Sequence, residues 1–273
     1  MSEILGHPMF QGGLAPFAVA LIVGLVLART RFAWLAVMPA YATMVALDTG
    51  FSLFPPTVAR KTMAIGLLAP LVGIVADLYP RLSRRIALAL VVVTALLSLW
   101  IFQTVLQNHE GASAIAAAAG VALFVAAMMA TVLRLRADGL RAGAAGLGVG
   151  GAASAAGILS ASIGALVAGA SIASACAAIL VVQIVLSRTL APGFTGALPV
   201  GLLVALIAAG TQQLALLPWY ALPLLLLVPL AAAMPVSNHR PPIARAAILS
   251  AYALAAAALP IGAAWYAAHT AVQ

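Results

Sequence analysis

Long apolar runs without charge follow one another along most of the chain, and this pattern constrains the fold more than any other feature. Most runs approach 20 residues, the length that an α-helix needs to cross the hydrocarbon core of a bilayer. Inside lipid the backbone has no water to bond with, so such a run satisfies its polar groups by forming a helix. The pattern therefore predicts an all-α, polytopic transmembrane helix bundle that forms one integral membrane domain over residues 1–273.

Composition agrees with this class, because 65% of the residues are hydrophobic and only 7% are charged. The net charge of +8 would suggest a nucleic-acid partner in a soluble protein, but here the basic residues lie in short linkers between apolar runs. In such linkers they act as topology signals and meet anionic lipid headgroups. The expected partner is the lipid bilayer and not nucleic acid. Since the segment before the first run has no Lys or Arg, that run is expected to be a retained helix rather than a secretory signal.

The runs and the breaks between them predict about ten helices. The predicted helices cover residues 14–28, 32–47, 62–78, 86–106, 112–133, 143–169, 171–187, 198–217, 221–234 and 246–267. No charge separates the sixth helix from the seventh, but a single helix over residues 143–187 would be about 67 Å long and must therefore cross a core of about 30 Å twice. The ninth helix is short and contains two prolines, so its crossing is the weakest part of the count.

The stretch over residues 143–169 consists almost entirely of Gly, Ala and Ser with a few larger aliphatic residues. Small residues recur four positions apart in it, and this spacing gives a helix a flat face that neighbouring helices can approach closely. We therefore expect this stretch to be the central packing helix of the bundle. The glycines expected at helix–helix contacts are Gly146, Gly150, Gly157 and Gly164.

The distribution of basic residues predicts the orientation of the helices. If the N-terminus lies outside, only Arg60 and Lys61 of the 13 basic residues fall in outer linkers, which is a strong positive-inside bias. Both termini then face outward, and a bacterial inner (plasma) membrane is the expected location. Trp34 is expected at the inner interface and Trp219 and Trp265 at the outer one. Ten helices also allow a five-plus-five inverted repeat, which is one layout of secondary transporters.

Ionisable residues near the membrane are the first candidates for function, and Asp77 is one of them. It lies near the inner end of the third helix, four residues before Arg81. One interpretation is an ion pair with Arg81 at the helix end. The other is a carboxylate that binds a proton or a cation and faces a cavity.

A second candidate group lies at the outer ends of the second and third helices. Asp48 ends the second helix, and Arg60 and Lys61 follow in the next linker, so a salt bridge across the loop is one interpretation. These two residues are also the only exceptions to the charge distribution. The alternative is therefore that they bind an anionic group.

Gln212 and Gln213 are adjacent polar residues in the outer half of the eighth helix. Neighbouring positions on a helix point about 100° apart, so at most one of the two side chains faces a shared cavity. They are candidates either for hydrogen bonds between helices or for contact with a substrate.

No pattern of residues indicates an enzyme. The chain has 5 acidic residues, and no pair of carboxylates has a spacing suited to acid–base chemistry. Its single cysteine, Cys176, and its scattered histidines show no spacing typical of metal ligands. A glycine run at residues 146–151 lacks a preceding strand, so it does not indicate a nucleotide site. We expect no catalysis, no metal and no cofactor.

Two functions remain open. The first is a small secondary transporter or permease for a neutral or amphipathic solute, because about ten crossings and prolines within helices are typical of that class. The second is a non-catalytic membrane subunit that anchors or assembles a larger membrane complex, or a homo-oligomer, because polar chemistry is nearly absent. A transporter predicts a polar-lined cavity that reaches Gln212 or Asp77, whereas a subunit predicts a groove on the outer surface.

Overall fold

The computed structural model describes residues 6–51, 54–214, 218–237 and 239–270, and within these ranges it is helical with no strand. A π-helical turn (Phe10–Leu14) leads into the first helix and a 3-10 turn (Ala33–Ala36) into the second. The helices are α1 (Ala15–Leu27), α2 (Val37–Asp48), α3 (Val58–Asp77), α4 (Ser83–Leu106), α5 (Gly111–Arg134), α6 (Gly139–Leu159), α7 (Ile163–Val185), α8 (Gly193–Leu214), α9 (Ala221–Leu225), α10 (Leu227–Ala232) and α11 (Pro242–Thr270). The predicted all-α membrane bundle is confirmed.

Eight helices in the described ranges are long and apolar enough to cross a membrane. The two shorter apolar segments, Ala33–Asp48 and Ala221–Ala232, correspond to the second and ninth predicted helices. The latter is broken into α9 and α10 at Leu226, because Pro223 and Pro229 have no N–H to donate to a carbonyl of the preceding turn. The predicted end of the eighth helix at residue 217 lies outside the described residues.

Contacts between linkers define two ends of the bundle. At one end, which we call the basic end, the Trp34 indole donates to the Leu190 carbonyl and the Arg141 guanidinium donates to the Ala233 carbonyl. At the opposite end, the Gln11 amide donates to the Leu47 carbonyl, 3.2 Å away. The segment Ala33–Asp48 therefore extends from the basic end to the opposite end. The segment Ala221–Ala232 does so as well, because it ends beside Ala233 at the basic end and begins where Ala221 packs against Ala264, near the end of α11.

The centre of the bundle is α8, and not the small-residue stretch that the sequence placed there. Every residue from Phe194 to Ala209 is buried, and α8 packs against α3, α5, α6 and α7. An apolar helix that is buried on all sides needs no amphipathic pattern, so its sequence does not distinguish it from a lipid-facing helix. The prediction of a central sixth helix is wrong in this respect.

The small-residue stretch is also not one helix, because it folds as the end of α6 and the start of α7. The chain turns at Ala161, which has a positive φ of 53°, and the Ser162 N–H donates to the Gly157 carbonyl. The Ser162 hydroxyl accepts from the Ala165 N–H and so caps α7. The boundary between the two helices thus comes about ten residues earlier than predicted. The turn contains two serines and no charged residue, so the sequence gives no charge signal for it.

Three of the four predicted packing glycines lie where α6 meets α7. A Cβ at Gly146, Gly150 or Gly157 would run into atoms of α7. At Gly150 the nearest would be the backbone nitrogen of Ala173, 2.7 Å away. Gly164 differs, because a Cβ there would meet no atom within 4 Å. It lies in the first turn of α7 and lines a cavity rather than a helix contact.

The helix pairs of the two halves match only in part. The pair α1–α2 corresponds to α6–α7, and α4–α5 corresponds to the packing of α10 on α11. However, α11 packs extensively along α6, whereas α1 and α5 are not among the well-packed pairs of the described residues. The five-plus-five inverted repeat therefore stays a prediction.

Candidate functional site

The loop between α7 and α8, residues 186–192, organises the basic end together with the first turn of α8. Leu190 receives two partners: its carbonyl accepts from the buried Trp34 indole at 2.7 Å, and its N–H donates to the Gln183 side chain at 2.9 Å. The Gln183 amide in turn donates to the Gly139 carbonyl. Trp34 is 1% exposed, so at this end its ring faces the protein interior rather than the lipid, and its position relative to the membrane interface stays a prediction. Its indole N–H has a partner inside the protein and needs none in the headgroup region.

We expect Gln183→Leu to lower the free energy of unfolding by about 2 kcal/mol, because it leaves the buried Leu190 N–H without its acceptor and removes the donor to the Gly139 carbonyl. The matched control is Gln103→Leu, since that side chain is exposed on α4 and makes no hydrogen bond within the described residues. An SDS titration in detergent measures the free energy of unfolding of both variants. Equal stability of the two variants would contradict the assigned role of Gln183.

Asp77 caps α8 from a distance of more than a hundred residues. One carboxylate oxygen accepts from the Phe194 N–H at 2.8 Å. The other accepts from the Thr195 N–H at 2.9 Å and the Thr195 hydroxyl at 2.7 Å. A helix N-terminus leaves N–H groups unsatisfied and favours negative charge, so this placement stabilises both partners. The structure places no ion pair between Asp77 and Arg81 among the described residues.

Gly193 makes room for this cap. It has a φ of +60°, and a Cβ there would lie against the carboxylate of Asp77. Its N–H donates to the Arg136 carbonyl at 3.0 Å, and the Arg136 guanidinium lies over the ring of Phe194. The first turn of α8 is thereby tied to the ends of both α3 and α5.

A cavity of about 450 Å³, which we call the basic cavity, opens at this end next to Asp77. Its wall comes from the ends of α1, α3 and α7, the start of α8 and the turn before α2. The charged lining residues are Arg29, Arg31, Arg188 and Asp77. Sequence analysis treated these three arginines as topology signals, because nothing in their spacing shows that the α1–α2 and α7–α8 linkers meet.

A second cavity, of about 140 Å³, lies at the opposite end between α2, α3, α7 and α8. We call it the hydroxyl cavity, because Tyr41, Thr62, Ser162 and Thr211 are among its otherwise apolar lining residues. The ends of these same four segments, together with the end of α1, border the basic cavity. The two cavities thus lie on one set of helices, at its two ends.

A packed layer separates the two cavities. A Cβ at Gly73 would lie 2.6 Å from Phe194 and Thr195, and Gly66 fits against Leu203. A Cβ at Gly196 would lie 2.6 Å from the Trp34 side chain. About fourteen residues of α3 separate the cavity linings, so the layer is about 20 Å thick at 1.5 Å per residue.

Three of the four surrounding helices contain a proline within this layer. Pro70 in α3 and Pro199 in α8 are buried, and Pro39 lies in the first turn of α2. Because proline has no N–H, the carbonyls of Gly66 and Thr195 receive no hydrogen bond from the residue four positions on. Helices interrupted in this way bend more readily than unbroken ones.

Arg60 and Lys61 each bind backbone carbonyls rather than Asp48. The Arg60 guanidinium donates to the carbonyls of Phe54 and Pro55 and so closes the loop before α3. The Lys61 ammonium donates to the Trp100 carbonyl at 3.3 Å and lies 4.5 Å from the centre of the Trp100 ring. The loop salt bridge to Asp48 is absent among the described residues, and the anion-binding alternative stays a prediction.

Gln212 and Gln213 border a third cavity, the lateral groove, of about 600 Å³. It lies between α5, α8 and the α9–α10 segment at the opposite end, and its lining is mostly apolar. The Gln213 side-chain amide donates to the Gln212 side-chain oxygen at 2.8 Å, and both residues line the groove. The expectation that at most one of them faces a shared cavity is therefore wrong.

Sequence analysis missed a second charged cluster at the basic end. Asp138 caps α6 through the N–H groups of Leu140 and Arg141. It also pairs with the Arg141 guanidinium at 3.3 Å and the Arg245 guanidinium at 3.8 Å. Because Arg245 belongs to α11, the cluster fixes the start of the last helix against the start of α6. The linker sequences alone gave no signal that these distant residues meet.

No group of three or more His, Cys, Asp or Glu residues in the described ranges could hold a metal ion. The fold and its cavities define an integral membrane helix bundle. The chain matches no known family of proteins, no curated protein sequence and no solved structure.

Proposed function

We propose that the protein is a small secondary transporter for an amphipathic solute, and that the solute passes between the basic cavity and the hydroxyl cavity. One observation carries the proposal: the two cavities lie at opposite ends of α2, α3, α7 and α8. A transporter of this class exposes its binding region to one side of the membrane at a time. Two cavities on one helix set, separated by a closed layer, fit such a cycle.

The helices around the path support this proposal. The layer between the cavities is held by glycines that let helices touch, and these contacts carry no ion pair among the described residues. The buried prolines of α3 and α8 lie within the layer, where a bend would open it towards one end. Such interruptions are typical of helices that line a transport path.

Of the two solute classes suggested by the sequence, the linings favour the amphipathic one. The basic cavity is rich in charge, whereas the hydroxyl cavity is mostly aliphatic with a few hydroxyl groups. A solute with one polar end and one apolar end matches both. Because Asp77 is engaged by three donors of α8, we do not assign it a role in ion coupling. The proposal includes no catalytic step.

The orientation follows from the charge distribution. With the basic end in the cytoplasm, the chain obeys the positive-inside rule and both termini face outward. The proposed location is the bacterial inner membrane.

The lateral groove favours a second candidate, a non-catalytic subunit of a membrane complex. It opens on the side of the bundle between α5 and the α9–α10 segment, and it has the small and aromatic lining that a partner helix would fill. Ala116, Ala117 and Gly120 supply the small residues, and Phe124 and Trp219 supply the aromatic rings.

Uptake by proteoliposomes tests the transport proposal. The purified protein is reconstituted and offered a set of short-chain amphipathic acids, alcohols and phosphate esters, with the contents read by mass spectrometry. We expect at least one solute to accumulate above the level in empty liposomes. Gly164→Trp should reduce this uptake at least tenfold, because the side chain fills the hydroxyl cavity.

Gly151→Trp is the matched control, since its position is equally open but lines none of the described cavities. Uptake that survives Gly164→Trp would remove the hydroxyl cavity from the path. If no solute accumulates and a stoichiometric protein co-purifies in mild detergent, the subunit alternative replaces the transport proposal.

A further inference from the structure

We propose that the basic cavity is a binding site for a phosphate group. The three arginines around it come from two linkers that are far apart in sequence, since Arg29 and Arg31 follow α1 and Arg188 follows α7. The Leu190 carbonyl holds these linkers together through the Trp34 indole. The concave site is therefore a product of tertiary structure rather than of one basic segment.

The charge of the cavity supports an anion with more than one negative charge. Three guanidinium groups and one carboxylate leave a net charge of about +2 around the cavity. None of the three arginines forms an ion pair among the described residues. Asp77 offsets one of the three positive charges but pairs with none of the arginines, because both of its oxygens accept hydrogen bonds from α8.

Phosphate fits this arrangement better than a carboxylate does. A phosphate monoester carries about −1.5 to −2 at neutral pH and has three acceptor oxygens. Arginine binds such oxygens through two parallel N–H donors, which gives geometric selectivity in addition to charge. Thr189 lines the same cavity and adds a hydroxyl group, whereas the Thr30 hydroxyl, which also lines it, already donates to the Leu27 carbonyl.

This inference names the polar end of the proposed solute, and it rests on the transport proposal as far as movement across the membrane is concerned. The phosphate can belong to a soluble molecule or to a lipid headgroup, because the chemistry is the same. The cavity of about 450 Å³ opens at the basic end, where either source can reach it.

Equilibrium binding in nanodiscs tests the site without requiring transport. The protein is placed in phosphatidylcholine nanodiscs, and its thermal unfolding midpoint is followed by tryptophan fluorescence during titration with inorganic phosphate. Chloride at equal ionic strength is the reference. In a second arm the nanodiscs contain phosphatidic acid, with phosphatidylglycerol at the same fraction as the control for charge. A bound ligand raises the midpoint by mass action.

We expect phosphate to raise the midpoint above chloride, or phosphatidic acid to raise it above phosphatidylglycerol. The first result identifies a soluble phosphate and the second a lipid headgroup, and each supports the site. Arg31→Gln and Arg188→Gln should each weaken binding by about tenfold or more. Arg85→Gln should change it less than twofold, since Arg85 is an exposed arginine of α4 that does not line the basic cavity.

Equal weakening by all three substitutions would overturn the proposal, because it would indicate diffuse attraction to the basic end. The absence of any rise over the two references would overturn it as well. If Arg188→Gln does not fold, Arg188→Lys keeps the charge but removes the paired donors and should still weaken binding. Phosphate binding without uptake would retain this site and reject the transport proposal, whereas uptake without phosphate binding would do the reverse.

Discussion

Asp77→Ala is expected to lower the free energy of unfolding by about 3 kcal/mol, because it removes the acceptor of three hydrogen bonds at the start of α8. The Phe194 and Thr195 N–H groups then remain unpaired at the N-terminus of the most buried helix. Asp77→Asn should lower the free energy of unfolding by a smaller amount, since its amide oxygen can still accept a hydrogen bond from one donor. SDS titration in detergent measures both variants.

The control for this substitution is Asp48→Ala. Asp48 is exposed at the end of α2 and its side chain makes no ion pair in the described residues, so we expect a change below about 0.5 kcal/mol. One result would contradict the capping role, namely that Asp77→Asn has normal stability but abolishes proton-dependent uptake. This carboxylate would then carry ion coupling instead.

Gly150→Ala is expected to destabilise the protein by about 3 kcal/mol, because the added methyl group would meet backbone atoms. Its Cβ would lie 2.7 Å from the Ala173 nitrogen and 2.9 Å from the Gly169 carbonyl oxygen. Unlike a side chain, these atoms cannot rotate away, so α6 and α7 must separate. The unfolding free energy in detergent measures the loss.

The neighbouring glycine provides the control. Gly151→Ala meets nothing within 4 Å and should gain up to about 1 kcal/mol from the better helix propensity of alanine. Gly164→Ala should be equally well tolerated for the same steric reason. If Gly150→Ala and Gly151→Ala had the same free energy of unfolding, this would contradict the close contact between α6 and α7 at Gly150.

The sequence predicts the helices well because their cause is local. Hydrophobic length and linker charge decide where a helix lies, and both can be counted along the chain. The turn at Ala161 is the exception, since serines replace charges there and the small-residue pattern continues through it. Four-residue spacing coincides with close helix approach at Gly150, whereas the same spacing at Gly164 coincides with a cavity.

The candidate site is less predictable because its partners are distant in sequence. Asp77 meets Thr195 at a separation of 118 residues, and Trp34 meets Leu190 at a separation of 156 residues. Spacing within a linker carries no information about such pairs. Asp77 is a candidate because a carboxylate near the membrane is rare, and this rarity is the only signal that the sequence carries for it. That signal does not distinguish a helix cap from a coupling residue.

The loop between α7 and α8 has a consequence for synthesis in the cell. Trp34 and Asp77 are inserted early, yet their partners leave the ribosome only after residue 195 has been made. At 5–20 residues per second, this delay is on the order of 10 s. During that interval the Trp34 indole N–H and the Asp77 carboxylate lack the partners that α8 and the loop before it supply. The first half of the protein therefore completes its fold only after α8 has arrived, and nascent chains that end before α8 should be the preferred substrates of membrane quality-control proteases.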